Sequence, residues 1–392
     1  MKRLDACGYG ALYRYVLLGK ATAAMNAQRP LEWGQAAPRF VAPAPINPTF
    51  DFASLGGRFV VLVFFGSSEL PGMRETLEQL GERLHRWPDN RCVTFGVSNR
   101  RADWQDASVL KVFPNARIFH DAKWVIARDY GLLAAHDDEK SARFKPSWFV
   151  LDPMMRVYAS GELKHIDRLV DEVARLPHPD RHHGSPAELW APILMVPRVL
   201  TPTFCRTLID YYKAGNAQES GFMRARDGKT VGMTDPSFKR RKDVTIEDER
   251  LRYALRMSLL TRLLPELKRA FQYEATRVER YIVACYDSES QGFFKPHRDN
   301  TTIGTAHRRF AVTINLNADE FEGGELRFPE FGERTYKAPT GGAVVFSCSL
   351  LHEALPVTGG VRYATLPFLY GEADVESRQS SKDSIVHAAK GE

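Results

Sequence analysis

Paired cysteines are missing from this sequence. Its five cysteines (Cys7, Cys92, Cys205, Cys285 and Cys348) are scattered and odd in number, and no two have CxxC spacing. That excludes a thiolate zinc site and a disulfide framework, and points to a reducing, cytoplasmic setting. Long apolar runs are also missing. No stretch reaches the roughly eighteen residues a membrane helix needs, so no membrane partner is expected. The opening Met-Lys-Arg would suit a signal peptide, but Tyr13 and Arg14 interrupt the apolar stretch and no small-residue cleavage site follows. Strong charge of one sign is absent as well. Lys and Arg number 54 against 48 Asp and Glu, a net +6. That balance suits an acidic small molecule at least as well as nucleic acid, and a nucleic-acid partner is not expected. The densest basic stretches, Arg224 to Lys229 and Lys239 to Lys242, read as solvated loops.

What is present is 44% hydrophobic and 26% charged residues over 392 positions, the composition of a globular protein too long for one domain. A breaker-rich stretch from Leu176 to Pro186 reads as a linker, in which His182 and His183 carry no metal expectation. The divisions expected are 30–175, a linker 176–192, 193–375, and a polar tail 376–392.

In the first segment Phe59 to Phe65 (FVVLVFF) has the continuous apolar, β-rich character of a strand covered on both faces. A helix with Leu77, Leu80 and Leu84 on one stripe follows, then a strand from Cys92 to Val97. Ser147 to Leu151 and Arg156 to Ala159 pair across Asp152-Pro153, and a helix spans Ile166 to Ala174. Alternation of this kind predicts a small layered α/β sheet. The second segment opens with helices: Thr201 caps one with Pro202 at its first turn, and Thr245-Ile-Glu-Asp248 reads as a capping box before the stripe Leu251, Leu255, Leu259. Short strands then follow, over Val278 to Tyr286, Phe310 to Leu316, Glu325 to Phe328, Gly342 to Phe346 and Arg362 to Tyr370. They predict a β-barrel or jelly roll.

The chemistry gathers in these strands. In Lys295-Pro-His297-Arg-Asp299 the histidine and aspartate are two apart, so a strand projects both to one side. His352, after the apolar strand Ala343 to Phe346, can supply a third ligand. Two imidazoles and one carboxylate leave open positions on an octahedral ion, the arrangement of non-haem Fe(II) oxygenases. Arg362, ten residues beyond His352 and expected to open the next strand, offers a guanidinium fork to the far carboxylate of a chelating 2-oxo acid.

Together with Val283-Ala-Cys-Tyr286, Leu316-Asn317 and Gly323-Gly-Glu-Leu326, these residues make the stretch Tyr281 to Tyr370 resemble the prolyl 4-hydroxylase-like 2-oxoglutarate/Fe(II) dioxygenases. The resemblance implies a double-stranded β-helix (jelly roll) with supporting helices. It implies Fe(II) on His297, Asp299 and His352, and 2-oxoglutarate on Arg362 with Tyr286 lining the same pocket. O2 would be the oxidant, ascorbate a candidate reductant, and succinate and CO2 the by-products. Where relatives often place Tyr before Leu-Asn, this chain has Asn315, which must supply a polar contact of shorter reach. Retention of Asp299 favours hydroxylation over halogenation, and Cys348 is expected in the core.

The first segment resembles peroxiredoxin and thioredoxin-like domains over residues 30–175. The resemblance rests on Gly34-Gln-Ala-Ala-Pro38, FVVLVFF, Leu70-Pro-Gly-Met73-Arg-Glu75 and Pro146-Ser-Trp-Phe-Val-Leu-Asp152. Relatives read Pro-Gly-Cys where this chain reads Pro-Gly-Met73. A thioether forms no thiolate at the helix start, so peroxidase activity is not expected. Pro146 falls where the fold commonly has a cis-proline, and Cys92 is expected to be a small core hydrophobe. Scaffolding, homodimerisation or substrate binding remain as roles for this segment.

Two functions follow. One is a hydroxylase of a small molecule, amino acid or peptidyl residue. The other is a redox- or oxygen-sensing interaction protein with a vestigial oxygenase half. Loops around Phe222 to Lys242 and Asn300 to Arg308 are expected to wall the pocket. Their basic residues, Arg240 and Arg241 among them, hint at an acidic substrate.

Overall fold

The computed structural model describes residues 29–45, 47–84, 88–133, 144–183, 189–226, 229–381 and 385–386. Cys7, the N-terminal basic residues and residues 184–188 of the expected linker lie outside that set. The chain divides into two compact units, residues 1–188 and 189–392.

In the first unit the strand Phe59–Gly66 is buried at all eight positions. It is the middle strand of a five-stranded sheet, with Cys92–Ser98 and Ile118–His120 parallel to it on one side; on the other Ser147–Leu151 pairs with it antiparallel and Val157–Glu162 pairs antiparallel with Ser147–Leu151. Strand side chains alternate between faces. Phe59, Val61, Val63 and Phe65 accordingly meet Leu77 and Leu80 of the helix Met73–Arg83 and Leu169 and Val173 of the helix Ile166–Ala174. Val60, Leu62 and Phe64 face a second cluster containing Phe52, Phe95, Phe119 and Phe149. The two faces explain why this strand has no polar residue.

Met73 is the first residue of its helix and is buried. Burial pushes the Cys92 thiol up to about 12, in keeping with a core residue. Among the described residues no peptide bond is cis, so Pro146 departs from the expected marker. Much of the expected linker is packed rather than extended. Leu176, Pro179 and His182 are buried, with His182 Nδ1 3.6 Å from Asp152, and Ala191 joins a core cluster of the second unit.

The second unit opens with the strand Leu194–Val196 and the helix Pro202–Ala214, which Thr201 caps by accepting from the Phe204 amide. The expected capping box does not form. Thr245 ends the strand Lys242–Thr245, and Asp248 itself caps the helix Glu249–Ser258, accepting from the amides of Arg250 and Leu251. That helix runs on through a wider π-type turn, Leu259–Leu263, into Leu264–Phe271, whose first turn holds Pro265. Proline lacks the amide hydrogen an unbroken α-helix would need there. Leu255, Leu259, Leu263 and Leu267 nonetheless form one fully buried stripe.

Two larger antiparallel sheets follow. The five-stranded one runs in the order Lys239–Arg240, Phe293–His297, His352–Ala354, Leu326–Arg327, Thr335–Tyr336. The ten-stranded one includes, side by side, Phe310–Asn315, Val357–Thr365, Ile282–Asp287 and Lys242–Thr245. The run expected as one strand from Val278 to Tyr286 is two, Arg277–Glu279 and Ile282–Asp287, broken at Arg280, where φ is +69°. Arg362 lies inside Val357–Thr365 instead of opening a strand, and His352 begins a strand of its own. The expected polar tail contains most of the helix Val375–Ser381 and a short strand Ile385–Val386.

Candidate functional site

His297 and His352 are direct partners across neighbouring strands. Between Phe294, opposite Ala354, and His297, opposite His352, one strand spends one residue more than the other. Such a bulge lets two residues three apart face the same way. Phe294 and His297 accordingly stack, ring centres 3.5 Å apart, and both line one cavity. Two residues after His297, just past the strand end, Asp299 is held by its amide on the Cys348 carbonyl. Its carboxylate lies 3.6 Å from His297 Nε2 and 3.3 Å from His352 Nε2. The three donor atoms fall within 4.8 Å of one another.

The hydrogen bonds fix the state of each donor. His297 Nδ1 faces the Lys295 carbonyl at 2.7 Å and His352 Nδ1 the Leu350 carbonyl at 3.0 Å. A carbonyl only accepts, so both Nδ1 atoms carry a hydrogen, which leaves both Nε2 atoms turned toward Asp299. Burial, reinforced by the neighbouring His352, lowers His297 to about 4. Burial would raise Asp299, but the two imidazoles outweigh it and hold the carboxyl well below its ordinary range. Two imidazole nitrogens and a carboxylate thus converge. That donor set fits a divalent cation, and each carbonyl that orients an imidazole is the outer support such ligands need.

Arg362 lines the same cavity and is 2% exposed. It is the cross-strand partner of Tyr286, with its guanidinium carbon 5.0 Å from that ring. Its Nε donates to Asn315 Oδ1 at 3.2 Å, while Asn315 Nδ2 is tied to the Ala338 carbonyl. Its Nη1 is buried with no hydrogen-bond partner, and none of the described residues gives it a carboxylate. An unpaired buried guanidinium is costly, which fits a ligand carboxylate at this place. Gly324 makes room for the stem. With φ at +68°, a Cβ there would sit 2.9 Å from Val357 and 3.1 Å from Arg362 Cδ.

The structure thus brings His297, Asp299, His352, Arg362 and Tyr286 into one cavity. Asn315 sits behind it, steadying Arg362 rather than lining the wall. Cys348 is fully buried and outside the donor set, its thiol pushed far up by burial.

Two expectations fail here. Asn300 to Arg308 supplies none of the lining residues. The stretch Lys239 to Lys242 is no solvated loop. Lys239 and Arg241 are buried while Arg240 and Lys242 are exposed, the alternation of a strand. Arg241 makes a two-pronged pair with Asp243 (2.7 and 2.6 Å) and donates to the Tyr286 hydroxyl at 3.3 Å. Lys239 Nζ donates to Ser220 Oγ and the Gly221 carbonyl. Period-two spacing of Lys239, Arg241 and Asp243 was the available signal. Arg280, also missed, lines the cavity from the strand break.

The class defined by these features is also found by comparison. The family model for the 2OG-Fe(II) oxygenase superfamily matches residues 281–370, and that of the AhpC/TSA family matches residues 33–160. The chain thus carries a C-terminal 2OG-Fe(II) oxygenase domain and an N-terminal peroxiredoxin-like, AhpC/TSA domain. Among curated relatives, a PKHD-type hydroxylase of Synechococcus sp. is 30% identical over 98 residues, which are 24% of this chain and 43% of that protein. The match thus spans less than half of that relative. Another PKHD-type hydroxylase, of Cupriavidus metallidurans, is 27% identical over 185 residues, 44% of this chain and 75% of the relative. A solved prolyl hydroxylase from Trichoplax adhaerens, in complex with a hypoxia inducible factor peptide, aligns with TM-score 0.38 and 20% identity over 48% of this chain and 87% of that one. Among the described residues no helix is long and apolar enough to cross a membrane.

Proposed function

We propose that the chain is a 2-oxoglutarate- and Fe(II)-dependent hydroxylase. It would insert one oxygen atom of O2 into a C–H bond and place the other in succinate, with release of CO2. The observation that carries this reading is the pairing, in one cavity, of a cation-seeking donor set with a buried guanidinium that has no carboxylate partner among the described residues. The two antiparallel sheets, with the cavity lined from both, are in keeping with a jelly roll.

Each residue has a task under this reading. His297 and His352 present Nε2, their tautomers fixed by backbone carbonyls, and Asp299 adds the anionic donor. Bound there, ferrous iron would supply the activation of O2. Arg362 receives the distal carboxylate of 2-oxoglutarate, Asn315 orients that guanidinium, and Tyr286 walls the pocket beside it. Phe294, Leu326, Phe346 and Phe368 supply the cavity's apolar wall. The substrate class is a small molecule, an amino acid or a peptidyl residue, prolyl included, with ascorbate as a candidate reductant. The N-terminal unit, with Met73 at its helix start, is read as a thioredoxin-like scaffold without peroxidase chemistry. Convergence of all four polar groups argues against a vestigial oxygenase half.

Anaerobic titration with Fe(II) and 2-oxoglutarate tests the proposal. A weak visible charge-transfer band is expected, with slow succinate release once O2 is admitted. Arg362→Gln should raise the 2-oxoglutarate concentration needed for half the band roughly 100-fold, the usual cost of cutting a buried charge pair. No band and no succinate from the unaltered protein would overturn the reading.

A further inference from the structure

Three guanidinium groups line the cavity, those of Arg241, Arg280 and Arg362, and they are not equivalent. Arg241 is neutralised within the protein by its two-pronged pair with Asp243. Arg362 is taken by the co-substrate on the reading above. Arg280 has neither. Its Nε and Nη2 share the Leu366 carbonyl, at 3.1 and 2.8 Å, and its Nη1 donates to none of the described residues. Burial, then the nearby Arg241, lowers its pKa only to about 10, so it stays cationic at neutral pH. The acids that act on it, Asp243 and Asp299, are already engaged with Arg241 and the two imidazoles.

The backbone is bent to put Arg280 there. Its φ of +69° falls in the left-handed region that a residue with a Cβ disfavours. It sits in the two-residue break between Arg277–Glu279 and Ile282–Asp287. Its guanidinium lies 4.4 Å over the ring of Phe368, whose ring also carries Arg308 at 4.1 Å. Strain of this kind persists where the surroundings hold a side chain to a task. With the Nε edge spent on one carbonyl, the Nη1–Nη2 edge remains, two parallel N–H groups matched to a carboxylate.

From this geometry we propose that Arg280 is the specificity-determining residue of the site, and that the substrate carries a carboxylate received by its free edge. The proposal rests on the hydroxylase reading, in which Arg362 is occupied by 2-oxoglutarate. It moves the anion preference away from the Arg240 and Arg241 pair. Arg240 is exposed, donates to the carbonyls of Pro236 and Ser290, and is absent from the cavity wall.

The test uses the full chain, anaerobic, with Fe(II) and saturating 2-oxoglutarate. N-acetylated amino acids are titrated as free acids and as their primary amides, and the shift of the visible band is read for each. The acids are expected to bind roughly tenfold or more tighter than the amides, the range of one charge-assisted pair. Arg280→Gln should erase that preference while the band itself, which Arg362→Gln weakens, is retained. Arg280→Lys should keep part of the preference and so reports charge rather than folding. Acids that bind no better than amides, or a preference that survives Arg280→Gln, would overturn the proposal. A missing band in the unaltered protein would instead sink the hydroxylase reading beneath it.

Discussion

At the start of the helix Met73–Arg83 in the first unit, the nearby buried polar groups close on one another. Asp103 accepts from the Ser68 amide and from the hydroxyls of Ser68 and Ser98, and Asp106 accepts from Ser68, Ser108 and Arg74. Those carboxylates have their donors within the protein, and the residue at the helix start is a thioether. In the cavity of the second unit some polar groups stay open. Two imidazole nitrogens and a carboxylate face each other, and Arg362 Nη1 has no hydrogen-bond partner among the described residues. The contrast teaches that burial of polar atoms alone marks nothing. A site is marked where the protein leaves their valences for something else.

The sharpest way to break this contrast is to remove one open valence. Asp299→Ala should weaken Fe(II) binding by more than about 100-fold, beyond the usual cost of losing an outer-shell support. Anaerobic Fe(II) titration reads it, and unaltered affinity would make the donor set a coincidence of packing.

Next comes acid stability. Against the upward pull of burial, hydrogen bonds from His307 and the Arg308 guanidinium hold Glu279 at about 2, below its ordinary 4.5. A lowered carboxyl stabilises the fold above 4.5 and loses that contribution as pH falls toward 2. Glu279→Gln should cost the second unit on the order of 2–3 kcal/mol at neutral pH and flatten its response in that window. Five of the six tryptophans lie in residues 1–188. Their fluorescence should therefore hold steady while circular dichroism follows the loss, and simultaneous loss of both signals would show that acid does not separate the units.

Asn315→Ala should cost less, raising the 2-oxoglutarate requirement about tenfold through loss of one hydrogen bond to a charged group. Succinate release against 2-oxoglutarate concentration measures it. No change would leave Arg362 held by packing alone. Smallest of all is Met73→Leu, a volume-conserving exchange worth under about 1.5 kcal/mol in the first unit. It should leave the Fe(II) titration of the second unit untouched, and a shift there would give the first unit a part in the chemistry.

Much of this was legible in the sequence because the signals were local. The apolar run Phe59 to Phe65 announced a strand covered twice, and the two-residue spacing of His297 and Asp299 announced one shared face. Arg280 was not legible, because its place in the cavity depends on a left-handed residue that no periodicity reveals. Arg241 was hidden differently. A run of basic residues looks solvated until its alternate members are found inside, paired with Asp243. Nor did spacing show that Asn315 works through Arg362, since that hydrogen bond joins residues 47 positions apart.

The extra residue at Lys295 and Pro296 acts as a phase setter. Strands keep time in steps of two, and this one beat more is what turns both Phe294 and His297 inward. Deleting either position would restore the regular beat and swing an imidazole toward the opposite surface with its chemistry intact. A frame error of one residue here is therefore a graver injury than many substitutions of the side chains themselves.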